Sequence, residues 1–231
     1  MANRPVFAVK HEQPYFHTEN IDFQYYGGFA EVQKQKCIAS LHQSYLDKHP
    51  GSRILEISTK SNNPLGNALS AFNLRITLNS KETVCLESAF QSSKVFEKGG
   101  PYIDILHMPP WEAKKDSRLR ESGPIIAFEF EGVSFPTEPK TFFYDWLYIN
   151  AVYKSSCPEA IMKYDAFTDI EFNPQKSLNC QARSAAIYVS LNRAGKLEAA
   201  LRSPDAFRNT VYETMKYEEE SEDTPVQLSF F

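Results

Sequence analysis

The sequence predicts an α+β fold, one compact domain over residues 1–212 followed by a flexible tail over 213–231. Three observations carry this. Helical spacing and strand alternation both occur, in separate segments with no regular order and no internal repeat. Of the 231 residues, 42% are hydrophobic, which supplies one substantial core. From Glu213 onward there are six acids and one base, so the tail holds a net −5 of a chain that totals −4. The body is therefore near neutral, and a nucleic-acid partner stays open despite the acidic whole.

The elements follow in order. The first 28 residues are rich in aromatics and show no clear period. Ala30 to Lys48 reads as a helix, with Cys37, Ile38, Leu41 and Tyr45 on one face and Pro50-Gly51 beyond its end. Ile54 to Ser58 is a short strand, and Ser61 to Gly66 is a loop by composition. Phe72, Leu74, Ile76 and Leu78 alternate as in a half-buried strand, and Glu82-Thr83-Val84 returns as its hairpin partner. Leu86 to Lys98 reads as one helix ended by Gly99-Gly100-Pro101. Pro109 to Pro124 is polar, and its Lys114, Lys115, Arg118 and Arg120 suit either phosphates or an exposed loop. Ile125 to Phe130 is a strand. Phe142 to Tyr153 is apolar nearly all round and reads as a buried helix. Tyr164 to Asn179 is irregular. Ala182 to Leu191 is a helix of small apolar residues, with Asn179 as its default cap. Ser203-Pro204 is a cap and first-turn proline for a last helix, to about Lys216.

Several function classes are set aside. No apolar run approaches the roughly 20 residues that cross a bilayer, so no membrane partner is expected. Cys37, Cys85, Cys157 and Cys180 are isolated, which argues against a zinc site or a disulfide framework. The first residues lack the apolar core of a secretory signal, and a cytoplasmic location is the expectation.

Two clusters have spacing suited to chemistry. Glu87, Gln91 and Lys94 stand at i, i+4 and i+7, one helical stripe with its ends about 10 Å apart. A carboxylate, an amide and an amine there could line a pocket, and the same spacing suits a solvated face. Asp165, Asp169 and Glu171 place three carboxylates among aromatics, suited to a general acid or to a turn bonded to its own backbone. Trp146, in an apolar helix, is by default core.

Taken in order, these segments resemble the NADAR (YbiA-like) family across about residues 54–192. Ser70-Ala71-Phe72 stands for its serine-asparagine-phenylalanine element. Glu87-Ser88-Ala89-Phe90-Gln91-Ser92-Ser93-Lys94-Val95-Phe96 stands for its glutamate helix, keeping the Glu, the Phe-Gln and the Lys. Tyr144-Asp145-Trp146, Asp165-Ala166-Phe167 with Asp169, and Asn179 match its later elements. The family's histidine-tyrosine after the glutamate is Ser88-Ala89 here, its tryptophan-glycine pair is absent near Asp169, and its glycine-rich loop is replaced by Asn173 to Leu178. Gln33-Lys34-Gln35-Lys36, Phe96 to Tyr102 and Asn179 to Ser184 are similar to the subgroup found as antitoxins to DarT-type DNA ADP-ribosyltransferases.

The resemblance implies an N-glycosidase that removes ADP-ribose from guanine in DNA, with single-stranded or flipped-out DNA as substrate and the toxin as partner. Other members act on phosphoribosyl metabolites of riboflavin synthesis, and a non-catalytic ADP-ribose-binding adaptor is the third reading. Glu87 is the expected general acid/base, Lys94 the phosphate partner or amine nucleophile, and Asp165 or Asp169 the stabiliser of charge or of ribose hydroxyls. Phe90, Gln91, Trp146 and Asn179 are expected in the substrate pocket, and Arg118, Arg120 and Arg183 on the diphosphate. No cofactor and no metal is implied.

In the tail, Glu218 to Asp223 repels itself and reads as a spacer. Gln227, Leu228, Phe230 and Phe231 resemble the peptide with which bacterial replication and repair proteins dock on the sliding clamp.

Overall fold

The computed structural model describes residues 1–213. The tail with its acidic run and clamp-like peptide lies outside the described residues, as does the expected end of the last helix at Lys216. β1 (Ala2–Val9) and β2 (Phe16–Phe23) form an antiparallel hairpin. This is the aromatic segment in which no period was legible. The reason for β1 is burial on both faces, whereas β2 is the edge strand and buries only Ile21 and Phe23. Val6 packs with Ile21, Phe23, Cys37, Ile38 and Leu41 in one cluster, while its neighbour Phe7 belongs to the larger core. A strand covered on both sides loses its polar alternation.

α1 (Glu31–Lys48) covers one face of that sheet with the Cys37, Ile38, Leu41 and Tyr45 stripe expected of it. β3 (Ile54–Glu56) follows. α2 (Pro64–Ala68) begins where a loop was expected, with Pro64 in its first turn and the Asn63 side chain accepting from the Leu65 amide. Gly66 is required there, because a Cβ would lie 1.9 Å from the Glu56 carbonyl oxygen. β4 (Arg75–Thr77) and β5 (Thr83–Cys85) make the expected hairpin, shorter than the alternation suggested.

α3 runs only from Leu86 to Ser92, and β6 (Lys94–Phe96) follows at once. The single helix expected to Lys98 is thus corrected. The Ser92 and Ser93 hydroxyls both donate to the Ala89 carbonyl, at 3.0 and 2.7 Å, competing with the helix ladder. Lys94 then pairs with Phe128 of β7 (Ile125–Phe130), and β8 (Val133–Phe135) completes a three-stranded sheet in the order β6-β7-β8. Gly100, at φ +83°, sits where a Cβ would meet the Lys94 carbonyl oxygen at 2.5 Å.

The polar segment forms two short helices, α4 (Pro110–Ala113) and α5 (Arg118–Glu121). α6 (Phe142–Lys154) and α7 (Gln181–Arg193) pack together in the main core, where Ala182, Ala185 and Ala186 are fully buried. Between them β9 (Ala166–Thr168) takes three residues of the stretch expected to be irregular, and residues 169–179 are irregular as expected. This strand is inserted between β1 and β3, antiparallel to the first and parallel to the second, giving the order β2-β1-β9-β3. All three of its residues are buried, so it too shows no alternation. α8 (Leu197–Ala200) and α9 (Pro204–Tyr212) close the domain, with Ser203 capping α9 as expected. The described residues form a single compact α+β domain. None of its helices is long and apolar enough to cross a membrane.

Candidate functional site

α3, the start of β6, the turn at Ser70–Phe72, the α4–α5 strip and the segment after β9 surround a cleft of about 750 Å³. The start of α3 is fixed by two backbone bonds, Leu86 N–H to Leu74 O at 2.9 Å and Glu87 N–H to Ala71 O at 3.0 Å. Glu87 therefore enters in the first helical turn, where the aligned peptide dipoles favour a carboxylate.

From Glu87 a string of polar groups runs along the cleft. The Gln91 amide donates to Glu87 Oε1 at 2.8 Å, and Lys94 Nζ donates to Gln91 Oε1 at 2.6 Å. Lys114 Nζ approaches Glu87 Oε1 to 3.6 Å. Each ammonium also lies over an aromatic ring, Lys94 at 4.9 Å from the Phe90 centroid and Lys114 at 5.3 Å from that of Phe72. Glu87 is only 5% exposed. Burial pushes the Lys94 ammonium down to about 8; the Glu87 carboxylate opposes this and Lys114 adds to it. Phe90 holds the helix by packing edge-on to Tyr144 at 5.0 Å and stacking near Phe128 and Phe143.

The other acid of the cleft is Asp169, just beyond β9. Its Oδ1 accepts from the Glu171 amide at 3.0 Å, and its Oδ2 accepts from Gln181 Nε2 at 3.0 Å. Gln181 also donates to Ile57 O at 2.8 Å and accepts from the Ala71 amide at 2.7 Å. Ala71 thus joins the two acids, with its N–H bound to the partner of Asp169 and its carbonyl to the Glu87 amide.

Behind Asp169 sits Glu56, 2% exposed, accepting from Ser58 Oγ, the Ile170 amide and Thr168 Oγ1. Thr168 spends its proton on Glu56, so His42 Nε2, 2.8 Å away, carries the hydrogen and donates to Thr168. Burial drops His42 to about 4, which keeps it neutral. Burial also raises the Glu56 carboxyl, and Asp169 is pushed up to about 8 by burial and then by the Glu56 charge.

The cleft gathers Glu87, Phe90, Gln91, Lys94, Arg120, Asp169 and Asn179 of the residues expected from sequence. Asn179 is not the helix cap. Cys180 occupies that position, and Asn179 Oδ1 is buried without a hydrogen-bond partner among the described residues.

Four expected site residues lie elsewhere. Asp165 accepts from Arg193 at 3.0 Å and from the Arg53 amide at 3.1 Å, at the opposite end of β9 from Asp169. Trp146 packs on Phe135, with ring centroids 5.2 Å apart, and borders a separate cavity of about 70 Å³. Two residues along a helix is about 200° of rotation, so Tyr144 faces the cleft in its place. Arg118 is forked onto Asp104 at 3.1 and 2.6 Å, bonds Asp116, and stacks on Tyr102. Arg183 bonds the fully buried Asp145 at 2.8 Å.

Gln181, Ser58, Tyr144 and Lys176 line the cleft without having been singled out. Lys114 reads in the sequence only as one of a basic group. Nothing local marks them, since each arrives from a different part of the chain. Among the described residues, no group of three or more His, Cys, Asp and Glu side chains is placed to hold a metal ion.

A family model described as DarT1-associated NADAR antitoxin matches residues 2–221. No curated protein matches the chain.

Proposed function

Because the chain belongs to the DarT1-associated NADAR antitoxin family, we propose that it neutralises a DarT-type toxin as an N-glycosidase, removing ADP-ribose from guanine bases in DNA. What supports the reading is the Lys94–Gln91–Glu87–Lys114 string in the same cleft as Asp169. A carboxylate, an amine that burial brings toward neutrality, and a second, proton-retaining carboxyl are what a sugar–nitrogen bond requires.

The chemistry runs at C1 of the ribose attached to guanine. Opening of the sugar ring, in which the proton of the guanine amino nitrogen ends on the ring oxygen, leaves an imine between C1 and that nitrogen. The neutral Lys94 amine adds to C1. The bond from C1 to the guanine nitrogen then breaks, and Glu87 carries to the departing amine the protons that the Lys94 nitrogen gives up in becoming an imine. Water hydrolyses the Lys94 imine, returning the free lysine and releasing ADP-ribose. Asp169, protonated near neutral pH, hydrogen-bonds the ribose hydroxyls. Arg120 and Lys176 supply charge for the diphosphate. Phe72 and Phe90 give the sugar an apolar wall.

The test is incubation with a single-stranded oligonucleotide carrying ADP-ribosylated guanine. Wild type removes the ADP-ribosyl mass, and Glu87→Gln, melting like wild type, is slower by at least about 100-fold. A folded, fully active Glu87→Gln protein overturns the assignment of Glu87. Turnover of a phosphoribosyl metabolite alone overturns the DNA substrate.

A further inference from the structure

The strip from Pro109 to Ser122 borders the cleft and presents an indole to solvent. Ser88 Oγ donates to the Met108 carbonyl at 2.8 Å, which ties the start of the strip to α3. Ala113 is its fully buried anchor. Backbone bonds from Lys114 N–H to Pro110 O and from Lys115 N–H to Glu112 O carry the helical turn past α4. Trp111, Lys114 and Lys115 therefore stand at i, i+3 and i+4, on one face and away from Ala113. Trp111 is 57% exposed. Lys114 reaches Glu87 and the Phe72 ring from this face, and Leu119 and Arg120 line the cleft itself. Lys115 and Arg120 are exposed and make no ion pair among the described residues, while Glu112, Asp116 and Glu121 are the acids of the strip. Arg118 is held by Asp104 and Asp116.

An exposed indole flanked by ammonium groups suits a ligand with both aromatic faces and negative charge. A protein partner would meet one aromatic among cations, whereas a single nucleic-acid strand offers unpaired bases and phosphates at regular intervals. We propose that this strip is a docking surface for single-stranded DNA. The Trp111 indole stacks on a base next to the modified guanine, and Lys115 meets a phosphate beside it. This rests on the guanine-DNA reading of the cleft, and it adds a reason for preferring a strand over a free nucleoside.

The experiment has two arms. The chain has two tryptophans, so Trp146→Phe leaves Trp111 as the sole indole. Titration with an unmodified single-stranded oligonucleotide should quench its fluorescence saturably, with a midpoint that rises as salt is added. In the second arm, kcat/KM is measured for an ADP-ribosylated oligonucleotide and for ADP-ribosylated guanosine. The ratio of the two should fall about tenfold in Trp111→Ala, in the range of one aromatic–base stack, and be largely retained in Trp111→Phe. Oligonucleotide binding that leaves the indole unquenched, or a ratio unchanged in Trp111→Ala, overturns the proposal. Loss of toxin capture by Trp111→Ala with an unchanged ratio overturns it in favour of a protein surface. Failure of wild type to hydrolyse either substrate sinks the guanine reading instead, and the fluorescence arm still reports on the strip.

Discussion

Gln181 donates to Asp169 at 3.0 Å with the same amide nitrogen that it directs to the Ile57 carbonyl, while its oxygen accepts from Ala71. One buried side chain thus fixes an acid of the cleft against the end of β3 and the turn that starts α3. Asp169 is held in place this way although Glu56 sits behind it and disfavours its charge.

That conflict predicts a pH-dependent stability. The Asp169 carboxyl titrates near 8 in the fold against an ordinary 3.8. The folded protein therefore holds the extra proton, and stability falls as pH rises from about 4 through 8. The raised Glu56 carboxyl acts in the same direction. Asp169→Asn has no such proton to lose. Its melting temperature should exceed that of wild type by a few degrees at pH 9, with the gap closing toward pH 5. A variant that melts below wild type at pH 9 overturns this, and a stable but inactive one shows a site held at a cost in stability.

Lys94 should be trapped as a covalent adduct. Borohydride added during turnover reduces the imine, and peptide mapping locates the ADP-ribosyl fragment on Lys94. Because the neutral amine reacts, the rate rises with pH toward the Lys94 value of about 8. Lys94→Arg keeps the charge but cannot form the imine, and it loses both trapping and at least about 100-fold in rate. Turnover without an adduct, at a rate flat across this range, points to direct attack by water.

Arg183 should behave as a structural residue. Asp145 is 0% exposed and accepts from Arg183, from Ser184 at 2.5 Å and from Tyr212. Arg183→Leu strands that carboxylate, which costs about 3–5 kcal/mol. For a domain of this size, the melting temperature falls on the order of 10 °C. KM for the modified oligonucleotide stays at the wild-type value in the folded fraction. A raised KM with normal stability would return Arg183 to the diphosphate.

We propose that the C-terminal peptide acts apart from the cleft chemistry. Deleting Gln227–Phe231 should leave hydrolysis intact and abolish pull-down of a bacterial sliding clamp. Clamp capture that survives the deletion ends that proposal.

By itself, the sequence determined the helices over α1, α6 and α7, the β4–β5 hairpin, and the joint placement of Glu87, Phe90, Gln91 and Lys94. These depend on short-range periodicity or on a motif read within ten residues. It also left clear errors. β1 and β9 were illegible because burial on both faces removes the alternation that marks a strand, and β2 because, at the edge of the sheet, it buries only Ile21 and Phe23. Lys94 reaches the cleft from a strand, because two serines end α3 at Ser92, nearly two turns short of Lys98. That Asp169 and not Asp165, and Tyr144 and not Trp146, line the cleft follows from tertiary structure alone. Each pair offers the same chemistry a few residues apart, and strand length or helix rotation decides which member points inward. The same holds for Arg118 and Arg183, whose guanidinium groups are neutralised by carboxylates distant in sequence and, for Arg118, also by Asp116 two residues before it. Residue type states what a side chain can do, and only the folded chain's partners decide whether it is free to do it.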